Sequence, residues 1–198
     1  VKALVEQQQY MFDALWKKAI PAKQRIREIE EGVKREFIDT IRDPTEIQNL
    51  VFNLLRSSRD EILIIFSSSN AFHRLNNEGL LEILREMSLI YHVKTRILVE
   101  MDNPIKELME KLQEEEKQNV QINIRHIYKS LQIKITTLII DTDFSLTIEM
   151  EDEVNVSLFR ETVGLSSYSN SESTVSSYTS IFESLWIQSE LEEQKRGY

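Results

Sequence analysis

IKITTLIID at Ile133–Asp141, the dipeptide TD at Thr142–Asp143 and FSLTIEME at Phe144–Glu151 read together as two β-strands separated by a tight turn. Both runs are strand-sized and rich in branched residues, and the short polar link between them suits a reversal, so a β-hairpin is expected here. Thr136 and Asp141 then fall in the first strand and at its exit.

Toward the N-terminus the pattern changes. EILIIFS (61–67) is a short continuous apolar run, as a strand covered on both faces requires. It leads into SSNAFHRLNNEG, read as a polar loop, and then a helix at about Glu78–Tyr91 carrying Leu80, Leu81, Leu84, Met87 and Leu89. KTRILVE (94–100) follows as a strand, so strand, helix and strand form a βαβ unit whose crossover should be right-handed. A second unit runs from Pro104 through a helix to about Gln118 and the strand QINIRHI (121–127), with EEEK in that helix as a solvated face. Further upstream, Asp43 and Pro44 open the helix PTEIQNLVFNLLRSSR, whose Ile47, Leu50, Val51, Leu54 and Leu55 share a face. REFIDTIRD (35–43) fits helix or strand.

Both ends read as amphipathic helices. Phe12, Leu15 and Trp16 stand at i, i+3 and i+4, and Phe182, Leu185 and Trp186 repeat that spacing. Val1, Leu4, Gln8, Met11 and Leu15 add a 3-4 heptad seam up to Pro21, and AKQRIREIEEGV (22–33) is a short charged helix. After an acidic loop, TVGLSSYS (162–169) is a strand, and SESTVSSYTSIFESLWIQSELEEQ is a closing helix capped near Asn170, with Tyr178, Ile181 and Leu185 as a stripe matching the first helix. The two triplets either plug a core or anchor connector helices that pass a signal.

The chain has 198 residues, 41% hydrophobic and 29% charged, enough for one sizeable core. A net charge of −9 repels polyanions, so no nucleic-acid partner is expected. The absence of cysteine removes disulfides, thiolate zinc sites and iron–sulfur clusters, and fits a cytoplasmic location. No apolar run reaches the length of a membrane span. The start in mid-helix without Met suggests a piece of something longer. The four glycines, at 32, 79, 164 and 197, are too scattered for a Walker loop or a dinucleotide fingerprint. His73, His92 and His126 form no ligand spacing, so neither metal nor cofactor is expected.

KITTLIID resembles the phospholipase D motif H-x-K-x-x-x-x-D in pattern and element order, and SYSNS (167–171) falls where that superfamily has its Ser and Asn. The nucleophilic histidine is replaced by Lys134, a protonated amine near neutral pH, and the phosphate-binding lysine by Thr136. Asp141 fits either the motif or a simple turn. The phrases LWKKAIPAKQRIREIEEG, TIRDPTEIQNLVFNLL, ILIIFSSSNAFHR, TLIIDTDFSL and GLSSYSNSESTVSSYTSIFESLW resemble the regulatory region that precedes the phosphoacceptor helix in archaeal membrane-linked sensor histidine kinases. The kinase's own H-E-L-R-T-P and ATP-binding boxes are absent. A related non-catalytic use of this fold occurs in archaeal sugar-sensing transcription regulators, where a helix-turn-helix precedes it.

These resemblances imply an α/β, phospholipase-D-like mixed central sheet flanked by helices, with long N- and C-terminal helices: a connector helix at 1–21, a sensor core at 22–170 and an output helix at 171–198. The implied function is non-catalytic signal relay in a two-component kinase, as a homodimer joined by the terminal helices. The rivals are a phosphodiesterase or phosphotransferase and a purely structural dimerisation module. A small polar or anionic ligand is expected at Ser67, Ser68, Ser69, Asn70, Lys134, Thr136, Asp141, Ser169 and Asn170, where hydroxyls and helix N-terminal amides follow apolar strands. Phe12, Leu15, Trp16, Phe182, Leu185 and Trp186 would be the helix anchors.

Overall fold

The computed structural model describes residues 35–117, 119–127, 135–151 and 158–196, together with Gln9, Phe12, Ala22 and Ile26. Two compact units divide the chain, residues 1–35 and 36–198. In the first unit the described residues Gln9, Phe12, Ala22 and Ile26 are helical, and Phe12 is 56% exposed. Leu15, Trp16 and the Val1–Leu15 heptad seam lie outside the described residues, as does Lys134.

The second unit is built on a seven-stranded sheet. Its strands are β1 (Ile38–Ile41), β2 (Glu61–Ile65), β3 (Lys94–Val99), β4 (Ile122–His126), β5 (Ile135–Ile140), β6 (Phe144–Met150) and β7 (Val163–Ser169). They lie in the order β1-β7-β6-β5-β2-β3-β4. β2, β3 and β4 are parallel, and every other neighbouring pair is antiparallel. The ambiguous REFIDTIRD thus resolves as an edge strand, with Ile38 opposite Ser169. The helices are α1 (Pro44–Ser57), α2 (Ser69–Asn77), α3 (Leu80–Tyr91), α4 (Asn103–Glu116) and α5 (Glu172–Arg196).

α2 is the main departure from the sequence reading, which made this stretch a loop. Ser68 caps it, its hydroxyl accepting from the Ala71 amide at 3.2 Å. Ala71, Phe72 and Leu75 form its apolar stripe, and all three are buried. Gly79, at φ 102°, allows the chain to turn directly into α3.

Side chains alternate across the strands and build two cores. One face of the sheet, with Ile62, Ile64, Ile97, Leu138 and Leu146, packs against α1, α2, α3 and α4. On the other face Leu63, Ile65, Leu98 and Ile139 pack against Val175 and Phe182 of α5. α5 therefore belongs to the sheet unit.

The expected hairpin is present, and its turn is a mirror-image one. Asp141 and Thr142 have φ of 53° and 56°, and the Asp143 amide donates to the Ile140 carbonyl at 2.9 Å. The Asp141 carboxylate explains why a left-handed conformation holds here. It accepts from the Ser58 hydroxyl and from the amides of Arg59, Asp60 and Glu61, each at 2.9 Å. Its own amide donates back to the Glu61 carbonyl at 2.9 Å. The connection from α1 into β2 is thus folded around one side chain from β5.

Asp141→Ala is expected to lower the unfolding free energy by about 3 kcal/mol, because three amides and a hydroxyl lose their acceptor, whereas Asp141→Asn keeps one carbonyl oxygen and loses about half as much. Urea unfolding measures both; a loss under about 1 kcal/mol for the alanine variant would mean that water replaces the carboxylate.

Candidate functional site

Strand direction sorts the candidate residues. β2, β3 and β4 end at one edge of the sheet, where the antiparallel β5 begins. At this edge the Ser67 amide donates to the Thr136 hydroxyl at 3.2 Å, and the two hydroxyls also lie 3.2 Å apart. Ser68 is spent on capping α2, Ser69 is partly exposed and Asn70 is exposed in the first turn. Thr136 is fully buried, so this end of β5 is closed by a hydroxyl pair.

The remaining candidates do not join them. Asp141 closes β5 at the opposite edge, five residues from Thr136 and so about 17 Å away along an extended strand. β7 runs parallel to β5 through the shared antiparallel partner β6, which places Ser169 and Asn170 at Asp141's edge. There the Ser169 hydroxyl donates to the Phe37 carbonyl at 2.9 Å, and the Asn170 side-chain oxygen accepts from the Phe37 amide at 2.7 Å. Their work is to hold the start of β1. The expectation of one ligand site joining SSSN and SNS is corrected by this geometry: the two phrases occupy opposite edges. Of the nine residues, the structure brings together Ser67, Ser68, Ser69, Asn70 and Thr136.

The same edge holds a pair that spacing alone did not suggest. His73 Nε2 lies 2.6 Å from Asp102 Oδ2, joining α2 to the start of α4. Asp102 is also the cap of α4, accepting from the Ile105 amide at 2.9 Å. Burial raises the Asp102 pKa, but the His73 ring and the Ile105 amide outweigh it and hold the carboxyl below its ordinary value. Next to it, His126 Nδ1 accepts from the Met101 amide at 3.0 Å, so its proton sits on Nε2. Among the described residues no group of three or more His, Asp or Glu is placed to hold a metal ion, and no helix is long and apolar enough to cross a membrane.

The second candidate feature is the seat of α5. Phe182 is fully buried, and Trp186 stacks beside it with ring centroids 5.6 Å apart. Arg96 of β3 lies over both rings, 5.2 Å from the Phe182 centroid and 5.4 Å from that of Trp186. Its guanidinium bridges Glu61 of β2, at 2.8 Å from Nε, and Glu183 of α5, at 2.9 Å from Nη1. Hydrogen bonding to Glu183 and Glu61 overcomes desolvation and raises the Arg96 pKa further. Arg125 of β4 repeats the device, 4.2 Å from the Trp186 centroid, donating to the Trp186 carbonyl at 3.2 Å and to Glu190 at 2.9 Å. All three members of the C-terminal triplet pack on this face of the sheet, Leu185 beside the two rings. Its arginine partners were legible only as charges in the middle of otherwise apolar strands.

No family model and no curated protein sequence matches the chain. Solved structures do. NucT from Helicobacter pylori is similar at 11% identity and a TM-score of 0.56, over 78% of this chain and 98% of that one. Nuc from Salmonella typhimurium, a phospholipase D family member, is similar at 13% identity and a TM-score of 0.54, over 78% and 96%. TrmBL2, an archaeal chromatin protein with a novel mode of DNA binding, reaches 16% identity and a TM-score of 0.51 over 94% of this chain, which spans 66% of its length. None of these three is a histidine kinase, and at such identities the likeness bears on architecture alone: the chain has the phospholipase-D-like fold, a mixed sheet flanked by helices and closed by a long C-terminal helix.

Proposed function

We propose that this chain is a non-catalytic regulatory domain that relays a signal through α5, in the way expected of the region ahead of the phosphoacceptor helix in a sensor histidine kinase. The observation that carries this reading is the seat of α5. A helix of 25 residues lies across one face of the sheet, held by two arginine, aromatic and carboxylate contacts whose partners come from β2, β3 and β4. Such contacts are directional, so a shift in the sheet is felt by the helix, and any ligand that binds the two arrangements unequally biases the output. A small polar or anionic ligand at the edge where β2, β3 and β4 end, beside the half-buried Ser67 and the exposed Asn70, is the input that suits this scheme. The absence of catalysis is supported by Thr136, whose hydroxyl is turned to Ser67 where the family has a lysine. The net charge of −9 argues against a nucleic-acid partner for this chain.

The test uses Arg96→Ala in a fusion that continues α5 into a histidine-kinase catalytic region. Amide hydrogen exchange in α5 is expected to accelerate while β2 and β3 stay protected, and the autophosphorylation rate is expected to change several-fold. Faster exchange with an unchanged rate would defeat the relay reading.

A second reading, phosphodiester hydrolysis, is favoured by one observation, the His73 and Asp102 pair at the edge where the parallel strands end. An imidazole held by a carboxylate is the arrangement of a general base. On the relay reading, purified protein leaves a chromogenic phosphodiester untouched. Turnover that is abolished by His73→Ala would establish the hydrolase instead.

A further inference from the structure

The outer face of α5 carries a second periodicity. Its inner stripe, Val175, Tyr178, Phe182, Leu185 and Ser189, is used against the sheet. This removes Tyr178 and Leu185 from the stripe that the sequence suggested for association. On the opposite side, Ser173, Ser177, Ser180, Ser184, Ile187, Leu191 and Gln194 are all exposed, at alternating steps of four and three residues. That is an unbroken heptad seam along most of the helix. Ile187 is 56% exposed and Leu191 51%, with Ile181 at 50% on the flank, which leaves three large apolar side chains in water on one helix face.

The serines in the seam are suited to burial. The hydroxyls of Ser177, Ser180 and Ser184 donate to the carbonyls of Ser173, Ser176 and Ser180 at 2.7, 2.8 and 2.8 Å. Their donors are satisfied within the helix, so a neighbouring backbone can approach without stranding a polar group.

We propose that this seam pairs with α5 of a second copy of the chain, the two helices parallel and in register. Charge selects the orientation. With Ser177, Ser184 and Leu191 at a and Ser180, Ile187 and Gln194 at d, the g positions hold Glu183 and Glu190 and the e positions hold Ile181, Gln188 and Lys195. A parallel pair sets each Glu190 beside Lys195 of the other copy and each Glu183 beside Gln188. An antiparallel pair sets the glutamates of one g row against those of the other, where like charges repel. Glu190 already accepts from Arg125, so the same carboxylate would link the seat of α5 to the dimer seam. The proposal rests on the relay reading only in giving this dimer an output role, and its test is independent of any kinase.

Because the chain contains no cysteine, single substitutions report on the seam directly. In a parallel, in-register pair each seam residue faces its own copy. Ser180→Cys, Ser184→Cys and Leu191→Cys are therefore each expected to give several-fold more disulfide-linked dimer on mild oxidation than Lys106→Cys on the exposed side of α4. Adding Ile187→Asp to Ser184→Cys is expected to remove the excess. Equal cross-linking at Lys106 and at the seam, or a chain that stays monomeric in sedimentation with no seam-specific product, would overturn the proposal. Cross-linking at one seam position and not at the others would overturn the parallel register. Failure of the kinase-fusion test with seam-specific cross-linking intact would remove the relay and leave the dimer standing.

Discussion

The guanidinium of Arg96 is the contact on which the arrangement of this domain turns. It sits on the face of the sheet lined by Leu63 and Leu98, where an unpaired charge would be costly to remove from water. Two carboxylates from different elements and two aromatic rings answer that cost, and three of these four groups lie on or beside the strand and helix that must be joined. Glu61 carries the connection further. Its side chain holds Arg96 while its amide and carbonyl both engage Asp141, so the hairpin turn, the start of β2, the middle of β3 and α5 form one continuous polar chain. Hydrophobic burial supplies most of the stability of such a domain, but it would tolerate several positions of α5. The polar chain selects one.

The degenerate motif illustrates how position along a strand separates roles. Thr136 lies near the start of one strand and Asp141 at its exit, so the two stand at opposite edges of the sheet. In this chain the far member became purely architectural: Asp141 satisfies four donors of the preceding connection and carries the left-handed turn. At the near end Thr136 closes on Ser67. Both ends are therefore consumed by internal hydrogen bonds.

Much of this architecture was legible in the sequence because it rests on period and composition. EILIIFS read as a strand covered on both faces, the hairpin followed from IKITTLIID and FSLTIEME standing a short link apart, and Asp43 and Pro44 marked the start of α1. α2 was missed because seven of its nine residues, SNAFHRLNN, are not large apolar ones and because its stripe of Ala71, Phe72 and Leu75 covers little more than one turn. The candidate site was misread for a different reason. SSSN and SNS look alike in composition, and nothing local says that β7 points the opposite way to β2; that depends on the whole strand order. Likewise the His73 and Asp102 pair joins residues 29 apart through two successive crossovers, and Arg96 meets Glu183 across 87 positions. Long-range polar partners leave only a weak local mark: a charge where an apolar residue would fit.

The hydroxyl of Ser189, which donates to the His126 carbonyl at 2.8 Å, has a consequence for how far α5 can travel. β4 is the last strand of the sheet; the Gln121 carbonyl accepts from the Thr95 amide of β3 and the Ile127 amide donates to the Val99 carbonyl of β3, so the backbone groups of Ile122, Ile124 and His126 are the ones that point outward. Ser189 takes the outward carbonyl of His126, which among the described residues leaves the outward groups of Ile122 and Ile124 on that edge. Complete departure of α5 would lengthen that edge and at the same moment uncover Leu63, Ile65, Leu98 and Ile139. Together they would form a template on which strands of other molecules could add, the first step of amyloid-like stacking. Any displacement of α5 that keeps the Ser189 bond to the His126 carbonyl keeps that part of the edge covered.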